Sequence, residues 1–294
     1  MMQSISSRES RKRHLREKLK ECDLCPRKCG VNRTEGERGI CGILDSPVVS
    51  SWGLHFGEER VLVGSRGSGT VFFTGCNLKC IFCQNYEISH LMEGDAISVE
   101  ELALIFKSLE SRGALNINLV TPTHQVPFIV EALEIADLKI PVVYNCGGYE
   151  SVETLELLEG WIDIYMPDMK YGSNEVGRNY SGVPDYFDRA SDALKTMVKQ
   201  VGEPIVENGI MKKGVLVRHL VLPNNVEDSK KVVDFLATLD PPPLVNIMAQ
   251  YYPAYRAWER KELSRRLKRS EYLEVVEYAK EKKLRLIELE RWLF

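Results

Sequence analysis

The chain has 294 residues, a formal net charge of −3, 44% hydrophobic residues and 28% charged residues. At roughly 100–200 residues per domain this allows one large domain or two smaller ones, and it excludes disorder as the main state. The charge is too near neutral for a general nucleic-acid coat. Eight cysteines are too few for a disulfide scaffold in so long a chain, and seven of them fall within the first 83 residues, in two clusters.

Residues 1–20 lack the apolar run of a signal peptide, and no stretch approaches the ~18 consecutive apolar residues of a membrane helix. The chain therefore reads as cytoplasmic with reduced thiols, and clustered cysteines in that setting read as metal ligands. Residues 8–21 have a basic helical pattern, with seven Lys/Arg against two Asp/Glu in the first twenty residues. Such a stretch is a solvated helix face, or a docking surface for an acidic partner or a phosphate backbone.

Residues 22–44 hold Cys22, Cys25, Cys29 and Cys41, spaced C-x2-C-x3-C-x11-C, and few large apolar side chains. A segment so composed cannot pack a core and needs a metal or a neighbour. Four cysteines match the ligand count of one tetrahedral ion or one complete iron–sulfur cluster. The spacing is irregular for paired zinc knuckles, so zinc and iron–sulfur both stay open. Residues 47–64 read as two short strands around a turn at His55-Phe56-Gly57.

From Gly69 onward short apolar runs alternate with amphipathic ones. Strands are expected at 69–74, 115–121, 141–145, 162–166, 214–221, 244–249 and 284–288. Helices are expected at 98–111, 126–137, 152–158, 187–201, 227–238, 258–268 and 271–282. Alternating units of this kind make an α/β fold with a parallel sheet. A closed eight-fold barrel takes ~250 residues, more than remain after Gly69, so an open or partial (β/α) barrel of six or seven units is expected. Residues 1–60 then form an N-terminal extension and residues 61–294 the barrel.

The strongest signal is Cys76-Asn-Leu-Lys-Cys80-Ile-Phe-Cys83, directly after the first barrel strand and Gly75. In α/β barrels chemistry sits at the carboxyl ends of strands, where this loop emerges. Three thiolates so spaced reach three corners of one 4Fe–4S cube, which normally takes four ligands. The fourth iron is left open to a substrate or cofactor, with Ile81 and Phe82 placed to exclude water.

C-x3-C-x2-C with an aromatic before the last cysteine resembles the motif of the radical S-adenosylmethionine (SAM) superfamily. GSGTVFFTGCNLKCIFCQN, NLVTPTH, YNCGGYE, WIDIYMPDMKY, VRHLVLPN and NIMAQYYP are similar to the branch related to pyruvate formate-lyase activating enzyme, often labelled PflX-like. CDLCPRKCG…RGICG near the N-terminus is similar to that branch as well. The resemblance implies a partial (β/α)6-type radical SAM barrel with a cysteine-rich N-terminal extension. It implies a 4Fe–4S cluster on Cys76, Cys80 and Cys83 whose open iron chelates the amino and carboxylate groups of SAM. One electron then cleaves the sulfonium, and the released 5′-deoxyadenosyl radical abstracts hydrogen from a substrate.

The same resemblance implies further SAM contacts. Where the family has Gly-Gly-Glu this chain has Thr121-Pro-Thr123-His124, so Thr123 and His124 are candidates for the amino-group contacts, although His124 equally suits a helix N-terminus. Asn145 matches a polar SAM-facing position, in a Gly147-Gly148 turn that is otherwise an ordinary βα connection. Cys146 reads as a buried hydrophobe. Asp168-Met-Lys170 matches an Asp-x-Lys that carries its lysine near SAM. Arg218 is the candidate for the SAM carboxylate, with a salt bridge to Asp168 as the competing reading. Gln250 matches a position near the adenosine.

Two functions follow. In the first, the chain is a radical SAM oxidoreductase resembling a glycyl radical enzyme activase, with a protein or peptide substrate and an electron donor such as flavodoxin or ferredoxin. In the second, it is a non-catalytic iron–sulfur electron carrier or metal-dependent binding module. A carrier needs a fourth ligand beside the 76–83 loop, which only Cys146 could supply.

Overall fold

A computed structural model describes residues 7–287. The strands are β1 (Val48–His55), β2 (Ser68–Phe73), β3 (Asp95–Ala96), β4 (Ile117–Val120), β5 (Val142–Cys146), β6 (Ile164–Pro167), β7 (Ile205–Glu207), β8 (Ile210–Leu220), β9 (Leu244–Met248) and β10 (Arg285–Leu286). The helices are α1 (Arg8–Glu17), α2 (Arg60–Val63), α3 (Tyr86–Ser89), α4 (Val99–Ser111), α5 (Val126–Ala136), α6 (Val152–Leu157), α7 (Asn174–Ser181), α8 (Tyr186–Val201), α9 (Val226–Leu236) and α10 (Arg269–Glu281).

The sheet runs β10-β9-β8-β6-β5-β4-β2-β1-β3, an open path with β7 paired to β8. From β2 through β9 that path is six parallel strands, the expected partial (β/α)6 barrel, and β10 adds a short parallel edge. At the other edge β1 and β3 pair antiparallel. The barrel strands read as apolar runs because both faces are covered; all of β4, β5 and β6 is buried. Helix α4 starts where Ser98 and Glu101 form a reciprocal capping box, which fixes its entry below β4.

Three expectations need correction. The second short strand of 47–64 is the single helical turn α2, since the three-residue apolar run 61–63 has no decisive period. Residues 258–268 form two 3-10 turns, Ala257–Glu259 and Lys261–Leu263, instead of a helix. Tertiary donors take the carbonyls a helix would use: Asn224 donates to Glu262 O and the Tyr251 hydroxyl to Leu263 O. Strand 284–288 shrinks to β10, and its residue 288 lies outside the described residues.

The basic helix α1 docks on the chain itself. Arg16 makes a two-pronged pair with Glu131 at 2.6 Å, and Lys12 reaches Glu134 at 2.6 Å, both on α5. Arg8 and Arg11 donate to the carbonyls of Gly160 and Glu159 and lie over the Trp161 ring. Leu15 and Leu19 join the main core. Lys12 and Arg16 are thus paired with acids of the barrel, while Arg8, Arg13 and Lys20 stay exposed to solvent. All eight cysteines are free. Among the described residues no helix is long and apolar enough to cross a membrane.

Candidate active site

The loop 76–83 leaves β2 through Gly75, whose φ of +83° suits glycine. Its backbone is held at both sides: Ile81 N donates to Tyr180 O at 2.9 Å and Arg256 N to Ile81 O at 2.9 Å. Phe82 is buried and makes edge contacts with Tyr171, Tyr180 and Tyr251, an aromatic wall that keeps water from the thiols. The sulfur of Cys80 lies 2.9 Å from the Ser181 hydroxyl, which in turn lies 2.6 Å from the Tyr171 hydroxyl. Cys83 has the Ser89 hydroxyl 3.1 Å away. Burial and the neighbouring Cys80 and Cys83 push the Cys76 thiol up to about 12. Three thiols so crowded repel as anions and need a metal's positive charge to ionise together.

The loop opens onto a cleft of about 240 Å³ at the carboxyl ends of β6, β8 and β9. Its lining includes Cys80, Cys83, Asp168, Lys170, Arg218 and Gln250, so six of the sequence-expected residues meet there. Asp168 sits between two cations, with Lys170 at 2.6 Å and the Arg218 Nε at 2.9 Å. Burial alone would raise Asp168, but Arg218 and Lys170 hold it below the usual carboxylate range. Lys170 stays above the usual lysine range despite burial, because Asp168 faces it.

Arg218 is more engaged than a lone SAM-carboxylate ligand. Besides Asp168 it donates to Glu58 at 3.3 Å and to the Asn145 side-chain oxygen at 2.7 Å. The competing reading of a salt bridge to Asp168 is what the geometry displays. Glu58, on the loop after β1, is a site residue that sequence reasoning missed; no local motif marks it. Burial raises its carboxyl, with Arg218 pulling the other way.

The glycines after β5 do the close packing expected of them. A Cβ on Gly147 would meet Leu78 of the loop at 2.8 Å, and one on Gly148, whose φ is +81°, would meet Asp168 O at 2.3 Å.

Thr123 and His124 do not line the cleft. The Thr123 hydroxyl donates to Glu150 at 2.7 Å. His124 is buried, its Nε2 lies 2.8 Å from Thr74 O, and burial depresses it to about 3, so its ring is neutral. The His124 carbonyl accepts from Arg33, and the Gln125 amide donates to Val48 O and Thr74 O. The turn that replaces Gly-Gly-Glu is therefore occupied with the N-terminal extension. Cys146 is buried as expected and bonds to Glu150, which leaves no fourth thiol at the loop. Glu150, also missed, is a buried acid that Thr123 and Tyr144 contact. Burial lifts it to about 7.

Among the described residues no three His, Cys, Asp or Glu side chains converge closely enough to hold one ion. A single ion gathers its sulfurs ~2.3 Å from one point, whereas a cube binds each thiolate to a different iron. Soft thiolates from one loop, with no fourth, beside an open charged cleft, fit a 4Fe–4S cluster with one open iron.

A parallel open barrel with this loop after its first strand defines a class. The chain belongs to the Radical SAM superfamily, whose family model matches residues 70–236, more than half its length. It is accordingly an enzyme of radical SAM oxidoreductase type, and membership implies use of SAM and a 4Fe–4S cluster. Among its relatives, an uncharacterized protein of Methanocaldococcus jannaschii is 38% identical over 281 residues, 92% of this chain and 77% of that protein. The pyruvate formate-lyase-activating enzyme of Clostridium pasteurianum is 25% identical over 193 residues, 63% of this chain and 75% of that enzyme. SuiB of Streptococcus suis, solved bound to precursor peptide SuiA, matches with a TM-score of 0.53 and 16% identity over 75% of this chain. The chain spans 48% of SuiB, about half its length, and at that identity the likeness concerns the fold.

Proposed function

We propose that this chain cleaves SAM at a 4Fe–4S cluster held by Cys76, Cys80 and Cys83 and abstracts hydrogen from a protein or peptide, in the manner of a PflX-like glycyl radical enzyme activase. When bound, the reduced cluster supplies the electron that breaks the SAM sulfonium and yields the hydrogen-abstracting 5′-deoxyadenosyl radical. The observation that carries the reading is the single cleft in which Cys80 and Cys83 meet Asp168, Lys170, Arg218 and Gln250.

The amino-acid end of SAM bears one positive and one negative group. Asp168 is the candidate for the first and Lys170 for the second, with Arg218 holding Asp168 in place and Asn145 accepting from Arg218. Phe82 and its tyrosines exclude water from the loop. Gln250 lies where it can meet the adenosine. An open sheet edge suits a macromolecular substrate, and the likeness to an activating enzyme and to peptide-bound SuiB supports that class. Flavodoxin or ferredoxin is the proposed electron donor, in the cytoplasm, with residues 1–60 as an extension to the 61–294 barrel.

Anaerobic reconstitution with iron and sulfide, then reduction with dithionite in the presence of SAM, tests the reading. The expected product is 5′-deoxyadenosine, absent in Cys80→Ala. A reducible cluster that cleaves no SAM with chemical or protein donors contradicts it.

A further inference from the structure

Cys22, Cys25, Cys29 and Cys41 take no part in the cleft, yet all four line a second, smaller cavity. Short hydrogen-bonded turns bring them there: Lys28 N donates to Cys25 O, and Gly30 N to Cys22 O, each at 3.0 Å. Gly39 crosses against the sulfur of Cys29, where a Cβ would come within 2.9 Å.

The charges around this cavity do not balance within the protein. Arg33 lines it and is 1% exposed, yet its guanidinium bonds the carbonyls of Leu44 and His124 and lies over the Phe128 ring, with no anion among the described residues. Arg27 lines it too and bonds only the carbonyls of Asn77, Ser181 and Gly182. Among the described residues neither has a carboxylate partner. A buried guanidinium without an anion is costly. Four neutral thiols offer no such anion, whereas four metal-bound thiolates form a dianionic centre. A 4Fe–4S cluster takes each sulfur on a different iron, while zinc would need the four drawn round one point, closer than they stand here. His124 lines the same cavity, and its Nδ1 is buried without a hydrogen-bond partner.

We propose that Cys22, Cys25, Cys29 and Cys41 ligate a second metal centre whose negative charge is balanced by Arg27 and Arg33, and that this centre braces the 76–83 loop from behind. Two contacts carry the brace. Arg27 Nε donates to Asn77 O within the loop at 2.9 Å, and the same guanidinium reaches the backbone of Ser181, whose hydroxyl touches Cys80. The Cys41 carbonyl lies so close to Gly75 that a Cβ there would be 2.4 Å away.

Metal binding at this site is tested apart from SAM chemistry, so its failure and that of the proposed function are distinguishable. The variant Cys76→Ala/Cys80→Ala/Cys83→Ala removes the first cluster and is reconstituted anaerobically with zinc or with iron and sulfide. Retention of about one zinc, or about four irons with matching acid-labile sulfide, supports the site and names its metal. A folded triple variant that holds neither overturns it. Where that variant does not fold, the metal-loaded wild type is alkylated instead, with Cys29 as reporter because it alone of the four is not buried. Protection of Cys29 that a chelator abolishes supports the site; equal labelling before and after overturns it. For the brace, replacing all four cysteines by alanine is expected to speed chelator removal of iron from the 76–83 loop roughly tenfold. An unchanged rate overturns the brace.

Discussion

The two cysteine sites meet at the Gly75–Asn77 segment and differ in how their charges are arranged. At the 76–83 loop the neighbouring charges are already paired: Asp168 with Lys170 and Arg218, and Arg218 with Glu58. That site is open, so a zwitterionic cofactor enters a preset field and exchanges one ion pair for another. At the 22–41 cavity buried Arg33 meets carbonyls and the Phe128 ring, half-buried Arg27 meets carbonyls, and neither has a carboxylate partner among the described residues. Paired charges beside thiols mark a place for a visiting ligand. Unpaired charges beside thiols mark a place for a resident anion.

Substitutions on the two sides separate these roles. The largest effect is expected from Asp168→Asn, which leaves half-buried Lys170 and Arg218 without their shared anion. It should cost about 2–3 kcal/mol by urea unfolding and abolish SAM binding, while metal at the 22–41 site persists. Loss of both metals would erase the contrast.

Gly75→Ala strikes the wall between the sites. A left-handed backbone and a Cβ 2.4 Å from Cys41 O together predict a loss on the order of 3 kcal/mol, with metal retention weakened on both sides. A normal melting temperature would mean the two segments are not pressed together.

Glu150→Gln sharpens the comparison through pH. Burial raises the folded carboxyl to about 7, against ~4.3 when unfolded, so the folded chain keeps a proton that the unfolded chain has lost. Stability therefore falls as pH rises from about 4.3 to 7, by roughly 4 kcal/mol in all, and the substitution removes that slope. Urea midpoints at pH 5 and pH 7.5 for both proteins check it; identical slopes would contradict the assignment.

The smallest effect is expected from Arg16→Ala, which breaks the partly exposed pair with Glu131 that helps dock the extension. It should cost about 0.5–1 kcal/mol in thermal unfolding and leave both cysteine sites intact. A loss of metal at 22–41 would show that docking and metal binding are one event.

Much of the cleft was legible because its residues stand at strand ends, where local spacing fixes position. Cys80, Cys83, Asp168, Lys170 and Gln250 follow apolar strands, Arg218 stands near the end of β8, and these six meet in one cleft. What was not legible is partnership across the chain. Glu58 pairs with Arg218 across 160 positions, and Ser181 touches Cys80 across 101, with no local period linking them. The same blindness left α1 without its partners on α5, since only folding brings Glu131 and Glu134 to its basic face. Thr123 and His124 were assigned to the cleft because they occupy the family's SAM position, yet packing of the extension turns them toward Glu150 and the second cavity.

The central claim is an iron at the 76–83 loop that is open to SAM. Electron paramagnetic resonance of the reduced protein with and without SAM tests it most directly, with the four cysteines at 22–41 replaced by alanine so that one site reports. The account predicts a cluster signal that changes when SAM is added and is missing in the further variant Cys80→Ala. A cluster signal that SAM leaves unaltered would contradict it.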